Sequence, residues 1–411
     1  MILKSRKKNS IYIIFKNKFI WFLLYLINSP LLILIILIYP FFRIRINELE
    51  TRSIGHFSIT TEIFLAELEN NIHDNKKGIF IWFINDKISN NFLLNKWKNK
   101  ILIGPRIILY PLFSMINKFK FLHFMKSPFR HWHDLDLEKK NLWQIRDIYQ
   151  VLQKTAPILV FNEKEIQECK NYFKKVNIEK EKYLCFFART YHFRNDVPSV
   201  RDADINNQVP GLINICKKYS LKAVRIGDKN QPEIVPNSDL LIDYPKSENK
   251  NSMLDIYLPM NCKFMIGSNS GISYVPILNR KKTLIVDFSQ FHDLDCTPDY
   301  YVPVIIPKKY RNISTKKIMN YSKVFELGLT QIQYDEELLD KGYETVPNSK
   351  EEILLAIDEM NDLINLNKES IENTILQKKF WGLFENYYSF KRPLNLKIAN
   401  SFLDINQDYI N

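Results

Sequence analysis

Apolar residues beyond position 50 alternate between short uninterrupted runs and longer stretches with helical spacing. Short uninterrupted runs are typical of buried strands, and a spacing of three and four residues is typical of amphipathic helices. The short runs predict strands at Gly78–Ile84, 101–103, 157–161, 183–188, 223–227, 240–244, 263–267 and Thr283–Phe288. The longer stretches predict helices from residue 62 onward and at 88–98, Glu163–Val176, Val209–Tyr219, 253–259 and 272–278. Because strands that alternate with helices form parallel βαβ units, the chain is predicted to adopt an α/β fold.

A polar stretch at 177–182 divides this pattern into two halves, and 411 residues are too many for one ordinary core. We therefore predict two Rossmann-like domains, an N-terminal domain at 50–177 and a C-terminal domain at 183–345. Ser349 and Glu352 have the spacing of a capping box, and the apolar residues after them recur at helical spacing, which predicts a helix there. A second helix is predicted at 371–388. Residues 349–411 are thus predicted to be C-terminal helices with a structural role.

Residues 19–42 form an uncharged run of 24 residues, after a basic N-terminus at 1–18. A bilayer crossing needs roughly 20 apolar residues, so this run is a predicted membrane segment. No small-residue cleavage site follows it, and the basic flank favours a cytoplasmic N-terminus. Asn28-Ser29-Pro30 divides the run, because proline removes a backbone donor and clashes with the preceding turn. We predict a re-entrant or surface-lying hairpin with both ends cytoplasmic; the alternative is a single bitopic anchor.

The net charge of +13 is concentrated at the N-terminus, where residues 1–52 contain nine Lys and Arg against two Glu. The remaining surplus of six positive charges is spread over the rest of the chain, which is not the clustered pattern of a nucleic-acid-binding domain. It suits phosphorylated substrates or an anionic membrane surface. The five cysteines have no CxxC spacing, so we predict reduced core cysteines and no zinc site.

A short segment between a predicted strand and a predicted helix is enriched in glycine and serine: Gly267-Ser268-Asn269-Ser270-Gly271. The first amides of a helix point outward without intrahelical acceptors, and the helix dipole favours anions there. Ser268 and Ser270 add hydroxyl groups. The segment, called the serine loop below, therefore predicts a phosphate site, although an ordinary βα turn has the same pattern.

The serine loop, with the apolar residues 276–278 and 283–286 after it, resembles the donor-diphosphate loop of GT-B glycosyltransferases such as the bacterial heptosyltransferases. More closely, the chain resembles an uncharacterised family of predicted glycosyltransferases from bacterial surface-polysaccharide loci. The resemblance runs from about residue 54 to the C-terminal helices, and its further signatures are Ile54-Gly55-His56-Phe57 with Thr61-Glu62, then 224–227 and 254–258. Where such proteins carry a His-x-Arg-Asp pattern, this chain retains Arg189 and lacks the His and the Asp.

The resemblance implies a GT-B fold and transfer of a hexosyl or related group from a nucleotide sugar to a glycan or lipid-linked acceptor. Because nucleotide sugars are cytoplasmic, and because the apolar run at 19–42 has basic flanks, we expect a catalytic body on the cytoplasmic side of the inner membrane, attached through residues 19–42. Two alternatives remain: a nucleotide-sugar epimerase, and a catalytically idle scaffold that binds sugar nucleotides.

Sugar transfer passes through an oxocarbenium-like transition state while the diphosphate leaves with growing charge. We expect Arg189, Arg201 and the amides of the serine loop to stabilise that charge, since arginine holds phosphate oxygens bidentately. Glu62 is the predicted general base, with His56 as the second candidate. The predicted donor-binding set comprises Arg189, Arg201, Asp204, Arg225, Gly227, Ser268, Asn269, Ser270 and Gly271.

Asp-x-Asp pairs of the kind that hold metals in GT-A enzymes occur at 134–136, 202–204 and 293–295. At ordinary aspartate frequency about one such pair arises by chance in this length. The cluster His131-Trp132-His133-Asp134 is more typical of a surface than of a metal site. We expect no metal ion and no other cofactor, since the nucleotide sugar is a co-substrate. We also expect no nucleic acid among the partners.

Overall fold

The computed structural model describes residues 18–73, 77–129, 147, 149–191, 197–296, 298–368, 371–388 and 395–410. Within these residues the chain forms two parallel sheets, connected by helices, and a small antiparallel pair of strands. The predicted α/β class with parallel sheets is therefore confirmed. The division into two domains at 50–177 and 183–345 stays a prediction.

The N-terminal apolar segment is one continuous helix, α1 (Lys18–Ile38), which runs through Pro30. The predicted break at positions 28–30 is therefore wrong. The Oγ of Ser29 donates to the carbonyl of Leu26 at 2.8 Å. In a regular helix that carbonyl would accept from the amide of residue 30, which proline lacks. This neighbour compensates for the proline, so the helix continues. Residues 19–38 are long and apolar enough to cross a membrane, and only 17% of their most apolar window is buried.

The first sheet contains strands in the order β1-β2-β3, all parallel: Arg43–Leu49 (β1), Gly78–Ile84 (β2) and Leu102–Ile103 (β3). The sheet thus includes residues upstream of the domain boundary predicted at 50. Helix α2 (Thr61–Glu69) lies between β1 and β2 in the chain, α3 (Asn91–Lys98) lies between β2 and β3, and α4 (Arg106–Lys118) follows β3. Ile46 and Phe83 face α4 and α1, whereas Leu49 and Trp82 face the main core on the other side of the sheet.

The second sheet contains seven parallel strands: Tyr183–Phe187 (β4), Lys222–Arg225 (β5), Leu241–Asp243 (β6), Met265–Gly267 (β7), Thr283–Phe288 (β8), Val304–Pro307 (β9) and Lys397–Ile398 (β12). Their order in the sheet is β12-β9-β8-β7-β4-β5-β6. The chain moves outward from β4 through β5 to β6, and returns to the other side of β4 with β7. The strand order therefore reverses between β4 and β7. Every residue of β4, β8 and β9 is buried, which explains the predominantly apolar sequences of these strands.

Helices and a small two-stranded antiparallel sheet surround this sheet. The helices are α5 (Glu163–Val176), α6 (Val209–Tyr219), α7 (Leu254–Asn261), α8 (Tyr321–Glu326), α9 (Asp335–Asp340), α10 (Lys350–Asn365), α11 (Ile375–Tyr387) and α12 (Asn400–Ile405). Strands β10 (Lys309–Asn312) and β11 (Tyr343–Val346) pair antiparallel. Ser349 and Glu352 form the predicted capping box at the start of α10. Phe380 and Trp381 of α11 lie in the main core, and β12 pairs with β9, so the C-terminal region is integral to the second sheet.

Two predicted elements differ in the structure. Residues 157–161 form no strand; instead the amide of Ile158 donates to the carboxylate of Glu62 at 2.9 Å. The helix predicted at 272–278 is a 3₁₀ helix, Gly271–Asn279, with Pro276 inside it. Both segments are rich in apolar residues and contribute buried side chains to the core, among them Ile158, Leu159 and Val275, so composition alone does not define their conformation.

Candidate functional site

The reversal of strand order between β4 and β7 brings the ends of these two strands together. Phe187 pairs with Gly267, and just beyond them the amide of Arg189 donates to the Oγ of Ser268 at 2.8 Å. In open parallel sheets, ligands bind outside the carboxyl ends of the strands at such a reversal. Two of the predicted donor-binding segments therefore meet at the position where this fold class places a ligand.

Ser268 holds the serine loop in place. Its side chain is fully buried, and its carbonyl accepts from the Oγ of Ser273 at 2.8 Å. A Cβ at Gly267 would lie 2.3 Å from that same Oγ, so only glycine fits there. Ser268 thus serves the conformation of the loop, whereas Ser270 and Gly271 are half-buried and accessible from solvent.

Asn269 combines near-complete burial with an unused donor. Its exposed fraction is 6%, and its Nδ2 has no hydrogen-bond partner among the described residues. Buried polar groups in folded proteins are nearly always satisfied, so an orphaned amide in a loop calls for a reason. Hydrogen bonding to an oxygen-rich ligand would supply one.

The start of the 3₁₀ helix at Gly271 is also the place where the two sheets meet. A Cβ at Gly55 would lie 2.6 Å from the Cα of Gly271, and a Cβ at Gly271 would lie 3.0 Å from the amide nitrogen of Gly55. The two backbones are therefore in direct contact. Because Gly55 lies in the connection after β1 and Gly271 in the connection after β7, the chain segments that leave one strand of each sheet touch at this contact.

His56 and Glu50 lie on the β1 side of this contact. The Nδ1 of His56 is 3.7 Å from an Oε of Glu50, and their side chains are 26% and 7% exposed. Glu50 directly follows β1, and His56 opens a π-helical turn, His56–Thr60, so the chain folds back to bring them together. Sequence reasoning identified His56 and missed Glu50. The available signal was an acidic residue in the same β1–α2 connection.

Glu62, the predicted base, is fully buried. Its Oε1 lies 3.0 Å from Nη1 of Arg280 and accepts from the amide of Ile158. Burial raises the pKa of Glu62, while the guanidinium of Arg280 acts in the opposite direction. Arg280 ends the 3₁₀ helix that follows the serine loop, so this ion pair joins the two halves of the chain. Such a position suits a structural bridge, and it does not present the carboxylate to an acceptor.

Arg225 is likewise occupied by a structural partner. Its side chain is fully buried, and it forms a bidentate pair with the carboxylate of Asp243 at 2.8 and 2.7 Å. It also donates to the carbonyl of Pro232. Nearby Gly227 has a φ of +123°, and a Cβ there would lie 2.8 Å from Nε2 of Gln231, so glycine is needed at the end of β5.

The remaining donor-side candidates lie around Asp202. The Nε of Arg189 donates to Oδ1 of Asp202 at 3.1 Å, and Arg201 is half-buried beside it. Asp204 is exposed and accepts from the amide of Asn206, which caps a short 3₁₀ turn. Sequence reasoning missed Lys308: its Nζ donates to the carbonyl of Asp202 at 2.6 Å, and burial lowers its pKa.

Among the described residues, no cluster of three or more His, Cys, Asp and Glu side chains could hold a metal ion. In the Asp-x-Asp pair at 202–204, Asp202 accepts from Arg189 and Asp204 accepts from the amide of Asn206. The pair at 134–136 and the cluster at 131–134 lie outside the described residues, as do the side chains of 293 and 295. An open cavity of about 710 Å³ lies beyond β6, lined by Lys229, Lys246 and Lys250 among others; it does not include the serine loop.

Solved structures similar to this chain include three that are described as glycosyltransferases or heptosyltransferases. Heptosyltransferase II from E. coli matches with 14% identity and a TM-score of 0.35, over 59% of this chain and 84% of its own. A family 9 glycosyl transferase from Veillonella parvula matches with 12% identity and a TM-score of 0.35, over 60% and 80%. The iron-containing dodecameric TibC from E. coli H10407 matches with 13% identity and a TM-score of 0.33, over 61% and 59%.

These matches confirm the distant similarity to heptosyltransferases that the sequence predicted. No protein-family model and no curated protein sequence matches the chain. At these identities and TM-scores the matches say nothing about activity, so the function has to be argued from the residues themselves.

Proposed function

We propose that this chain is a GT-B glycosyltransferase with its active site between the two sheets. In this proposal it transfers a sugar from a nucleotide donor to a glycan or lipid-linked acceptor of a bacterial surface polysaccharide. The observation that carries the proposal is the meeting of Arg189 and Ser268 at the strand-order reversal, directly opposite the Gly55 turn with His56. The two domains predicted at 50–177 and 183–345 would then be the acceptor and donor sides.

On the donor side, the positive potential comes from the protein itself. The first amides of a helix lack intrahelical acceptors, and the half-buried residues Ser270 and Gly271 would direct theirs at a diphosphate. Arg189 and Arg201 add positive charge, and the amide of Asn269 adds a donor. Donors aimed at developing charge are worth far more in a water-poor site than in water. This set would stabilise the leaving diphosphate without a metal ion.

On the acceptor side, His56 would act as the general base. An imidazole accepts the proton of the acceptor hydroxyl as its oxygen attacks the anomeric carbon, while the bond from that carbon to the diphosphate oxygen breaks. Glu50 would orient the ring and stabilise the imidazolium that forms, as carboxylates do in catalytic triads. This assignment replaces Glu62 as base, because Glu62 is buried against Arg280.

Binding is tested first, by thermal unfolding of the purified chain with nucleoside diphosphates and nucleotide sugars. A ligand of the folded state raises the melting temperature by mass action. Asn269→Ala is expected to reduce that increase. Release of nucleoside diphosphate with acceptor present, and in the presence of a chelator, then tests metal-independent transfer.

The His56→Ala variant is expected to retain the donor-induced increase and to lose turnover by about 10²- to 10⁴-fold, the usual value of a general base. The matched control is His73→Ala, because His73 also pairs with a glutamate, Glu67, at 2.7 Å and lies away from the glycine contact. Binding without turnover would indicate an idle scaffold, and product from the donor alone would indicate an epimerase. Full turnover in His56→Ala would refute the assignment of the base.

A further inference from the structure

Helix α1 has two apolar faces with different surroundings. The face that packs on the protein contains Trp21, Leu24, Tyr25, Asn28, Leu32, Ile35 and, just past the helix end, Tyr39. The opposite face is exposed and contains Phe19, Phe22, Leu23, Leu26, Ile27, Ile33, Leu34 and Leu37. A soluble surface helix has a polar outer face. An apolar outer face therefore indicates an apolar environment around it.

Contacts to the rest of the protein extend along the whole of α1. The ring of Trp21 lies 5.3 Å from that of Tyr110, and the hydroxyl of Tyr25 hydrogen-bonds to the Oγ of Ser114 at 2.8 Å. At the other end, the hydroxyl of Tyr39 donates to the carbonyl of Phe124 at 2.8 Å.

From Trp21 to Tyr39 a helix rises about 27 Å, nearly the hydrocarbon thickness of a bilayer, which is about 30 Å. A helix that crossed the bilayer would have to break these contacts or draw α4 and the first sheet into the lipid. The charged residues of β1, Arg43, Arg45 and Glu48, make the second alternative costly. The contacts therefore favour a helix that lies along the protein surface.

A basic aromatic segment, 118–126, adjoins α1. Phe119, Phe121 and Phe124 are exposed, and they alternate with the exposed lysines 118, 120 and 126. The Nζ of Lys118 lies 5.7 Å from the ring centroid of Tyr25 on α1, and the ring of Phe124 packs on Tyr39. Aromatic rings flanked by lysines are typical of the interface between lipid and water.

Exposed apolar side chains are concentrated in this region. Among the described residues, half of the large apolar side chains that are exposed lie within 19–42 and 107–124. Monomeric soluble proteins rarely expose an apolar patch larger than a few hundred Å². We call the exposed face of α1 together with 107–108 and 118–126 the docking face.

We propose that the docking face binds the surface of an anionic lipid bilayer, with α1 lying in the plane of the membrane and not crossing it. The apolar side chains enter the boundary between headgroups and acyl chains, and the lysines contact anionic headgroups. The surplus of positive charge in residues 1–52 has the sign that this partner requires. The inference does not depend on sugar transfer.

Vesicle flotation of the full chain tests the partner. We expect binding to vesicles that contain phosphatidylglycerol, and weaker binding to phosphatidylcholine alone. Phe121→Glu with Phe124→Glu should reduce binding at least tenfold, and Lys120→Glu should reduce it at least fivefold on anionic vesicles, since each cation near such a membrane contributes about that factor. The control is Ile375→Glu, because Ile375 is the most exposed large apolar residue of α11, at 82%, and should tolerate the charge.

Protease digestion of an N-terminal tag on vesicle-bound protein tests the orientation. If α1 lies in the plane, the tag and the body are cleaved together from outside without detergent. A tag that is protected while the body is cleaved would mean that α1 crosses the membrane, which overturns the proposal. Equal vesicle binding by the Phe121→Glu/Phe124→Glu variant and the control would also overturn it. A third outcome would overturn it as well: the chain is a dimer in solution, the Phe121→Glu/Phe124→Glu variant is a monomer, and the chain binds no vesicles. A second copy of the chain would then cover the docking face.

Discussion

Replacing Arg280 tests whether the buried ion pair with Glu62 holds the two halves of the chain together. The guanidinium lies 3.0 Å from Oε1 of Glu62 and also donates to the carbonyls of Thr155 and Ala156. The two side chains are not equally buried: Glu62 is fully buried, whereas Arg280 is 16% exposed. The two single substitutions should therefore have very different costs.

Arg280→Gln leaves a carboxylate in the interior without its counter-charge. Removing one partner of a buried ion pair typically costs about 3–5 kcal/mol of folding stability, or a factor of roughly 10² to 10³ or more in the ratio of folded to unfolded chains. Glu62→Gln leaves a partly exposed guanidinium that retains its carbonyl acceptors, so its cost should stay below about 1.5 kcal/mol, the contribution of one hydrogen bond. The double substitution should recover much of the loss.

The cost should also depend on pH, with a sign that follows from burial. Burial raises the pKa of Glu62, so the folded state binds its proton more tightly than the unfolded state does. This group therefore contributes most stability at low pH, and the contribution is lost as pH rises from the unfolded pKa through the folded one. Below the folded pKa the neutral Glu62 needs no counter-charge, and the penalty of Arg280→Gln should shrink there.

Urea unfolding of the wild type and the three variants at pH 5 and pH 8 measures these differences. Arg311→Gln serves as the control, since Arg311 and Glu344 form a pair at 2.8 Å that is 39% and 32% exposed, and its loss should cost at most about 1 kcal/mol. Equal costs for Glu62→Gln and Arg280→Gln, or a penalty for Arg280→Gln that does not change with pH, would refute the reasoning. Because Glu62→Gln should fold well, its turnover also decides whether Glu62 acts as a base: we expect it to stay near that of the wild type.

Two further predictions concern the contact between the sheets and the donor side. In thermal unfolding, Gly55→Ala should cost about 1–3 kcal/mol of folding stability, the usual range for overpacking, because its Cβ would lie 2.6 Å from the backbone of Gly271. The control Gly382→Ala should be neutral or stabilising, because a Cβ there meets nothing within 4 Å. Arg225→Lys should cost about 1.5–3 kcal/mol through the lost bidentate pair, while the donor-induced increase in melting temperature stays at the wild-type value; a selective loss of that increase would instead place Arg225 in the donor site.

The sequence predicted the second sheet well because its strands and helices carry strong local signals. The strand Thr283–Phe288 is a buried apolar run, and its observed limits match the prediction. Helix α5 has a capping box at Asn162 and a left-handed residue, Asn177, at its end, so both limits were also predicted correctly. The turn residues and the apolar pattern agree at these positions, and tertiary contacts change nothing.

Strand β1 was missed for a physical reason. Its sequence, RIRINEL, alternates polar and apolar residues and directly follows the apolar segment, so the sequence alone favours the charged flank of a membrane segment there. Helix α4 contains Pro111, and its apolar residues include the exposed Ile107 and Ile108, so the sequence does not show a clearly limited helix there. The 3₁₀ helix after the serine loop and the irregular segment at 157–161 are both rich in apolar residues without a clear period, so their tertiary contacts determine their conformation.

The candidate site was predictable as two loops and not as a set of side-chain roles. The motifs around Gly55 and Gly271 were identified from the sequence, and the structure brings them into contact. The partner of Glu62, however, lies 218 residues away along the chain, so no local pattern could indicate that this carboxylate is buried in an ion pair. The partner of Arg225, Asp243, lies on the neighbouring strand β6 and is equally invisible to motif analysis.

The two proposals also constrain each other through the first sheet. One face of that sheet packs against α1 and α4 through Ile46 and Phe83, which places the docking face on the same half of the chain as β1. The carboxyl end of β1 carries Glu50 and leads into His56. If the docking face binds a bilayer as proposed, the proposed base belongs to the membrane-bound half of the chain and the proposed donor site belongs to the other half. An acceptor held in that bilayer would then approach the base from the base's own half, whereas a soluble nucleotide sugar would bind on the other half. A lipid-linked acceptor consequently fits this arrangement better than a free glycan does.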